Sequence, residues 1–239
     1  MKRTLPGGFL LAIEGIDGAG KSVQAQAVGA ALGARGLEVV LTREPTNGPW
    51  GRRLRESAAK GRLSPADELH AFLEDRKQHV AELIRPSLDA GSVVITDRYY
   101  FSTVAYQGAR GFDPGELLRM NEAIAIAPHL LVLVDLDPQT SLGRIGHRDG
   151  TANEFETLAQ LARAREIFLS IQTPCPLRLD GRRAPAELSD EILFAFGRSA
   201  LERIAANAAL SAAEKLAASL AVFGAPAPAA GAGTREPAV

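Results

Sequence analysis

The stretch "EGIDGAGKS" at residues 14–22, directly after the apolar run "FLLAI", constrains this chain more than any other feature. Gly15, Gly20, Lys21 and Ser22 fit the pattern GxxxxGK(S/T), and the helical pattern "SVQAQAVGAAL" follows. Glycines let successive backbone N–H groups turn towards phosphate oxygens, and the helix start adds its positive end. The flanking strand and helix favour this interpretation over a glycine-rich turn without a ligand. The loop therefore predicts a nucleoside triphosphate site, in which Lys21 reaches the outer phosphates and the Ser22 hydroxyl ligates Mg²⁺.

Short apolar runs that alternate with helical patterns predict an α/β fold with a doubly wound parallel sheet. The expected strands are 9–13, 38–42, 92–96 and 130–135, with a weaker fifth at 176–179. The expected helical segments are those at 64–88, 113–127, 138–147 and 153–171, and the Ala- and Leu-rich stretch 185–223. We expect one domain over residues 1–223, followed by a disordered, low-complexity Ala/Pro/Gly tail at 224–239.

The bulk composition excludes several classes of function. The 239 residues carry a formal net charge of −1, which argues against a chain that coats nucleic acid or binds a membrane through basic residues. No apolar stretch approaches the roughly 18 residues needed to span a bilayer, and no signal peptide is evident. The single cysteine, Cys175, cannot form an internal disulfide. We therefore expect a cytoplasmic protein with no nucleic-acid partner and no membrane partner.

A triphosphate site leaves three classes open: a switch GTPase, an ATP-driven machine or a small-molecule kinase. The N-K-x-D motif with which a GTPase reads guanine is absent. ATP-driven machines are usually longer and carry several acidic residues after a hydrophobic strand. Here the third strand is followed by "DRYYFSTVAYQG" at 97–108, which favours the kinase.

Four motifs together carry a resemblance to a known family. They are the loop "EGIDGAGKS", "TREP" at 42–45, "FLEDRKQHV" at 72–80 and "DRYYFSTVAYQG" at 97–108. In order and spacing the chain resembles the thymidylate (dTMP) kinases, P-loop nucleoside monophosphate kinases, over roughly residues 9 to 180. The resemblance implies a P-loop NTPase fold with a short lid, and transfer of the γ-phosphoryl group of ATP to dTMP with Mg²⁺.

Cations and a carboxylate beside the phosphate loop suit an acceptor monophosphate. Arg43 and Arg98 follow strand ends, on the rim where such sheets bind ligands, and the resemblance assigns both to the acceptor phosphate. Asp97 ends the third strand on the same rim, where it can hold Mg²⁺ together with Ser22. The resemblance implies that Asp17 contacts the 3′-hydroxyl of the deoxyribose.

The resemblance also implies a base pocket. Phe72 matches the residue that stacks on thymine, and Arg76, one turn later on the same helix face, matches the arginine that reads the base edge. Ser102, Thr103 and Gln107 match positions that line the pocket. Tyr106 matches the aromatic residue that packs against the sugar and excludes a 2′-hydroxyl, so we expect it to be part of the same substrate site.

The lid is expected at about 144–154. Some family members carry a catalytic arginine where this chain has Gly18, so the chain resembles the class whose lid supplies arginines, here Arg144 and Arg148. The resemblance thus implies ATP binding by the loop and catalysis by four basic residues. The ATP-binding set is Gly15, Ile16, Asp17, Gly18, Ala19, Gly20, Lys21, Ser22 and Val23; the catalytic set is Lys21, Arg98, Arg144 and Arg148.

The chain departs from the family pattern at three points. Val23 stands where threonine is usual, "TREPTNGPWG" replaces "TREPGGTPxG", and the lid is short with few basic residues. These departures leave open a same-fold kinase for another (deoxy)nucleoside monophosphate, or a nucleotide-binding protein without turnover. The resemblance further implies a homodimer, and the sharp turn after Arg43 predicts a cis bond between Glu44 and Pro45.

Overall fold

A computed structural model of the chain describes residues 2–149, 158–172, 174 and 176–224, without the side chains of residues 59 and 147–149. Its centre is a five-stranded, all-parallel sheet in the order β2-β3-β1-β4-β5. The strands are β1 (Phe9–Glu14), β2 (Val39–Arg43), β3 (Val93–Asp97), β4 (Leu130–Asp135) and β5 (Leu177–Asp180). The expected parallel sheet is confirmed, including its weak fifth strand.

Helices connect the strands and cover both faces of the sheet. They are α1 (Lys21–Ala34), α2 (Pro49–Lys60), α3 (Pro65–His79), α4 (Arg85–Asp89), α5 (Tyr100–Gly108), α6 (Pro114–Glu122), α7 (Pro138–Asp149), α8 (Leu158–Ser170), α9 (Pro185–Ala206) and α10 (Ala212–Phe223). At the start of α3 the expected N-cap is present, since the Ser64 hydroxyl accepts the Asp67 N–H at 3.2 Å. Helix α2, which follows the "TREP" turn, was not predicted from the sequence.

The segment expected as one helix at 64–88 contains a wider turn. After α3 a π-helical turn spans Val80–Ile84, and α4 begins at Arg85. The Arg85 N–H accordingly donates to the Val80 carbonyl, five residues back. Pro86 explains the change, because it has no N–H to donate and its ring would collide with the carbonyl of the residue four positions earlier.

Alternate residues of the central strand face two separate cores. Phe9, Leu11 and Ile13 pack with α1, α9 and α10 on one face. Leu10 and Ala12 pack on the other face with α3, α5 and α8. A strand buried on both sides must be apolar at every position, which is why the run "FLLAI" shows no alternation.

Two tertiary contacts complete the amino-terminal edge of the sheet. The Leu10 N–H donates to His129 Nδ1 at 2.8 Å, and the His129 N–H donates to the Leu10 carbonyl at the same distance. The His129 ring also packs against Phe9, with ring centroids 5.3 Å apart. Burial, together with nearby Arg203, lowers the pKa of His129 to about 4.

The stretch expected to be helical at 185–223 forms two helices. α9 ends at Ala206, and α10 starts after Ser211, whose hydroxyl and Glu214 cap one another. The expected tail, apart from Gly224, lies outside the described residues, and so does 150–154 of the expected lid. Within the described ranges no helix is both long and apolar enough to cross a membrane.

The carboxyl ends of the parallel strands bring distant motifs together. In the register, Asp97 of β3 lies between Ile13 of β1 and Arg43 of β2. The chain places β2 and β3 on one side of β1, and then β4 and β5 on the other side. The loops that follow neighbouring strands therefore run in opposite directions at this rim and leave a crevice between them. Such a switch point is where open α/β sheets bind their ligands.

Candidate active site

The phosphate loop wraps the start of α1 in the conformation that the motif requires. Gly15, Gly18 and Gly20 all have positive φ, at 142°, 74° and 100°. A Cβ atom on Gly18 would lie 2.8 Å from the Ser141 carbonyl oxygen of α7, so a side chain is excluded there on steric grounds as well. The loop thus packs closely against the helix that leads to the expected lid.

Lys21 is buried beneath this loop and retains its charge at neutral pH. Its Nζ donates to the Ile16 carbonyl at 2.8 Å and lies 4.0 Å from Asp17 Oδ1. Burial and the neighbouring Arg98 lower the pKa of Lys21 to about 8, against the opposing effect of Asp17, Asp97 and Glu14. A phosphate would add the negative charge that this ammonium group otherwise finds only in carboxylates.

The Ser22 hydroxyl donates to Asp97 Oδ2, so the two expected metal ligands meet. The other carboxylate oxygen, Asp97 Oδ1, is buried and has no hydrogen-bond partner in the described part of the chain. In that part no cluster of three or more His, Cys, Asp or Glu side chains could hold a metal. One carboxylate and one hydroxyl fit Mg²⁺, which takes few protein ligands and completes its shell with water and phosphate oxygens.

Arg98, Asp17 and Tyr106 form one contact network at the mouth of the site. Arg98 pairs with Asp17 and donates to Ser102 Oγ at 3.2 Å. The Tyr106 hydroxyl accepts the Asp17 N–H and donates to Asp17 Oδ2, each at 3.0 Å. Although burial opposes its charge, Asp17 raises the pKa of Arg98 above its ordinary value. Among the described residues, Arg98 is the only non-glycine with positive φ, at 69°.

A cavity of about 250 Å³ lies beside this network. One part of its wall is apolar and carries Phe72, Pro45 and Ala58. The rest is polar, and every residue expected to line the base pocket is present. The full lining is Asp17, Glu44, Pro45, Ala58, Arg62, Glu68, Phe72, Arg76, Arg98, Tyr99, Ser102, Thr103, Tyr106 and Gln107.

Arg76 is 1% exposed and is held in place by several partners. Its guanidinium pairs with Glu44 through Nε, at 3.0 Å, and through Nη2. Nη2 also donates to Thr103 Oγ1 at 3.2 Å, and Nη1 donates to Asn121 Oδ1. Burial opposes the charge of Glu44, but Arg76 and the His79 ring, 3.0 Å away, lower the pKa of Glu44. The arginine is therefore fixed before any ligand arrives.

Glu14, the last residue of β1, fixes the start of α5. Its carboxylate accepts the Tyr99 N–H at 2.8 Å, the Ser102 N–H at 3.0 Å and the Ser102 hydroxyl at 2.6 Å. It thereby caps a helix that lacks a side-chain N-cap of its own. Burial raises the pKa of Glu14 to about 7, against the Ser102 hydrogen bond and the charge of Arg98.

Five further arginines line a larger cavity, of about 730 Å³, above the phosphate loop, and three of them come from β2, α2 and α7. Arg43 is exposed, and its side chain makes no hydrogen bond or ion pair to the described residues. Arg144 of α7 donates to the Gly18 and Gly181 carbonyls, at 3.3 and 3.0 Å. Arg55 of α2 donates to the Pro45 carbonyl at 3.0 Å. Of the expected lid arginines, the side chain of Arg148 lies outside the described residues.

The structure also places residues that the sequence did not single out. The Glu44–Pro45 bond is cis, as predicted. Unpredicted residues that contact the expected ones include Glu14, Glu44, Glu68 and Asn121. Glu14 and Glu44 lie within recognised motifs and Glu68 lies four residues before one, but none of these motifs indicates the contacts that the three residues make.

The two cavities share Asp17, Glu44, Pro45 and Arg98 along a common wall. One cavity contains a phosphate loop, and the other combines a flat apolar side with fixed polar groups. A parallel sheet of this order with a phosphate loop after β1 and an adjoining second site defines a P-loop phosphotransferase.

Comparison with known proteins narrows the class. Residues 13–192 match the family model described as thymidylate kinase. A thymidylate kinase of Xylella fastidiosa is 50% identical over 176 residues, covering 74% of this chain and 81% of that protein. One from Xanthomonas campestris pv. campestris is 53% identical over 169 residues, and one from Xanthomonas oryzae pv. oryzae 52%, each covering 71% of this chain and 74% of the relative. The chain belongs to the thymidylate kinase family, whose members are ATP-dependent kinases.

Proposed function

We propose that this chain phosphorylates dTMP with ATP and releases dTDP and ADP. The observation that carries the proposal is the shared wall of the two cavities, which Asp17 and Arg98 form between the phosphate loop and the apolar pocket. Two nucleotides bound there would meet phosphate to phosphate across Arg98. The relatives, which are named thymidylate kinases, support the same acceptor.

The base pocket suits thymine in shape and in hydrogen bonding. Phe72 offers a flat surface, and Arg76 uses one Nε–H, two Nη2–H and one Nη1–H in its contacts, which leaves one Nη1–H donor for a base carbonyl. Because Glu44 and Asn121 hold Arg76 beforehand, little side-chain entropy is lost on binding. Ser102, Thr103, Tyr106 and Gln107 complete the proposed pocket.

The proposed catalytic groups act through charge and position. Lys21 and the N–H groups of residues 15–23 would hold the ATP phosphates, and Arg43 and Arg98 the acceptor phosphate. Arg98 stands where the two sets meet, so it can stabilise charge on the phosphoryl group during transfer. We also propose that Arg144 and Arg148 act from the lid, and the Arg144 contact with the Gly18 carbonyl supports this for Arg144.

We propose Mg²⁺ as the cofactor, with Ser22 and Asp97 as its protein contacts. Asp97 supports this, because its Oδ2 contacts the Ser22 hydroxyl while its buried Oδ1 has no hydrogen-bond partner among the described residues. When bound, Mg²⁺ neutralises phosphate charge and orients the triphosphate. The side chains of Ser22 and Asp97 already face one another, so the chain itself contributes a prepositioned pair.

We further propose a cytoplasmic homodimer that binds no nucleic acid. The dimer is supported by the family resemblance, and the absence of nucleic acid as partner by the net charge of −1. Sedimentation equilibrium of the full chain would give a mass near 25.3 kDa if the protein were instead a monomer.

An acceptor panel tests the proposed function. ADP release would be measured with ATP, Mg²⁺ and each of dTMP, dUMP, ribosyl TMP, dCMP, dGMP and CMP. We expect dTMP to be the best acceptor, and dUMP to be weaker by on the order of 10–200-fold because it lacks one methyl group. If dGMP or CMP were the best acceptor, the altered "TREPTNGPWG" loop would mark a kinase for another nucleotide.

A variant of the phosphate loop tests whether the chain is an enzyme or only binds nucleotides. Lys21→Ala should lower kcat by roughly 100-fold or more while the protein stays folded, because the part that Lys21 plays in the proposed reaction is its charge. If the variant kept near wild-type activity, the proposal for the phosphate loop would be wrong. If the wild type consumed no ATP with any acceptor, the chain would be a nucleotide-binding protein without turnover.

A further inference from the structure

Glu68 of α3 is a buried carboxylate that the proposed function does not use. It is 7% exposed and lies at one end of the base cavity. Arg62 donates to its Oε1 at 3.1 Å, and Arg110 pairs with its Oε2. Two guanidinium groups therefore hold it as an anion at a fixed position. Its third partner is the side-chain amide of Gln107, whose Nε2 lies 3.2 Å from Glu68 Oε2.

This contact determines which way the Gln107 amide faces. An ionised carboxylate can only accept hydrogen bonds, so the amide group beside it must be the NH₂ end. The oxygen end, Oε1, is then directed away from Glu68. It is buried and has no hydrogen-bond partner among the described residues, although Gln107 itself is 1% exposed and lines the cavity. A buried acceptor without a donor is costly unless a ligand supplies one.

We propose that Glu68 is a positioning residue that selects the base through Gln107. Thymine carries a donor, N3–H, between its two carbonyl oxygens, whereas cytosine has an acceptor at N3. With the NH₂ end held by Glu68, Gln107 Oε1 can accept from thymine N3 and opposes the lone pair of cytosine N3. The inference rests on the proposed function, because it assumes that the base occupies this cavity.

The test is the ratio of kcat/KM for dTMP to kcat/KM for dCMP. Glu68→Gln keeps the size of the side chain, but an amide can both donate and accept, so it no longer fixes the orientation of Gln107. We expect this ratio to fall by about 10-fold or more. The matched control is Glu74→Gln, which removes a carboxylate of the same helix that pairs only with Lys77 among the described contacts; its ratio should equal that of the wild type.

A double variant isolates the route of action. Gln107→Leu alone should lower the ratio, and adding Glu68→Gln to it should change the ratio no further, because the group through which Glu68 acts is gone. An equal fall in kcat/KM for both acceptors in Glu68→Gln, with the ratio unchanged, would mean a purely structural role and overturn the inference. An undiminished effect of Glu68→Gln in the Gln107→Leu background would overturn it as well. If the wild type itself did not prefer dTMP to dCMP, the proposed function would fail first.

Discussion

The ammonium group of Lys21 lies in the site proposed for the ATP phosphates, yet burial and the nearby Arg98 lower its pKa. Its pKa of about 8 is that of the ligand-free loop. ATP phosphates would add negative charge next to Nζ and raise the pKa, since an adjacent anion favours the charged amine. ATP binding and protonation of Lys21 are therefore linked.

We expect ATP binding above about pH 8 to take up as much as one proton, because the free enzyme has then lost part of the Lys21 charge. Titration calorimetry in buffers of different ionisation enthalpy measures this uptake, and the affinity for ATP should fall as the pH rises further. In Lys21→Arg, whose side chain stays charged, the uptake should disappear. Equal proton uptake in both proteins would contradict the assignment to Lys21.

Tyr106 also acts at the scale of one side chain. Its ring packs edge-on against Phe168, with centroids 6.3 Å apart, and its hydroxyl donates a hydrogen bond to Asp17 Oδ2. If the ring excludes a 2′-hydroxyl by volume, Tyr106→Phe keeps the preference for deoxyribose, whereas Tyr106→Ala narrows it by about 10-fold or more. Competing dTMP with ribosyl TMP measures the preference. A loss of preference in Tyr106→Phe would assign the selection to the hydroxyl and to Asp17 instead.

At the scale of elements, the close approach of α2 to the "TREP" turn positions one wall of the active site. A Cβ atom on Gly51 would overlap the Thr46 carbonyl oxygen. Thr46 is in turn fixed by Asp75 of α3, which accepts its N–H at 2.8 Å and its hydroxyl at 2.6 Å. The loop therefore cannot move away easily when α2 is displaced.

Gly51→Ala should destabilise the fold by roughly 1–3 kcal/mol, because the overlap is with backbone that has nowhere to shift. Gly33→Ala in α1 is the matched control. A Cβ atom there meets nothing within 4 Å, so alanine should stabilise the helix by about 0.5–1 kcal/mol. Denaturant unfolding of the two variants should give opposite signs. Equal effects would show that α2 has more freedom than the contact implies.

Most strands and helices could be predicted from the sequence, because the patterns that indicate them are local. The strands are apolar runs, and the phosphate loop is contiguous in the chain, so both are visible within a few residues. Helix α2 was missed because its sequence, "PWGRRLRESAAK", is mostly polar, and Trp50 and Leu54 are its only large apolar side chains. Pro86 could be recognised as an interruption of the 64–88 helix, but the π turn depends on how the chain packs.

The contacts that position the site could not be predicted in this way. Glu14 meets Ser102 across 88 residues of sequence, and Arg76 meets Asn121 across 45. Glu14 opens the phosphate-loop stretch, but that motif gives no sign of its contact with α5, and nothing in the neighbours of Glu68 or Asn121 distinguishes them from ordinary surface or core residues. Their roles arise only when the sheet brings the ends of β1, α3, α5 and α6 to one place.

For the whole molecule, stability in acid should depend on His129. Its pKa is about 4 in the folded chain, below the ordinary value of 6.5, so folding favours the neutral ring. This contribution is complete above pH 6.5 and is lost as the pH falls through about 4. His129 touches β1 at the sheet centre, so its protonation opposes the fold as a whole and not one loop.

His129→Asn offers an amide oxygen in place of Nδ1 but does not titrate. We expect the variant to be less stable than the wild type at pH 7, by about 1–3 kcal/mol, because the ring also packs against Phe9. The difference should shrink as the pH falls from 6.5 to 4, because in this range the unfolded wild type binds a proton at His129 that the folded ring does not. Urea unfolding at several pH values measures it, and parallel curves for the two proteins would exclude His129 as the source.

The left-handed backbone of Arg98 has a consequence for how such an enzyme could be improved in the laboratory. A non-glycine residue in that conformation costs on the order of 1–2 kcal/mol, and Arg98 stands at the junction of both cavities. Arg98→Gly should therefore be more stable than Arg98→Ala by about 1 kcal/mol in thermal or urea unfolding, and both should be inactive. Equal stability would show that the backbone relaxes when the guanidinium is removed. Directed evolution for heat resistance alone would weigh relief of this backbone strain against loss of the Asp17 ion pair, with no regard for catalysis, so at this position selection for turnover has to accompany selection for stability.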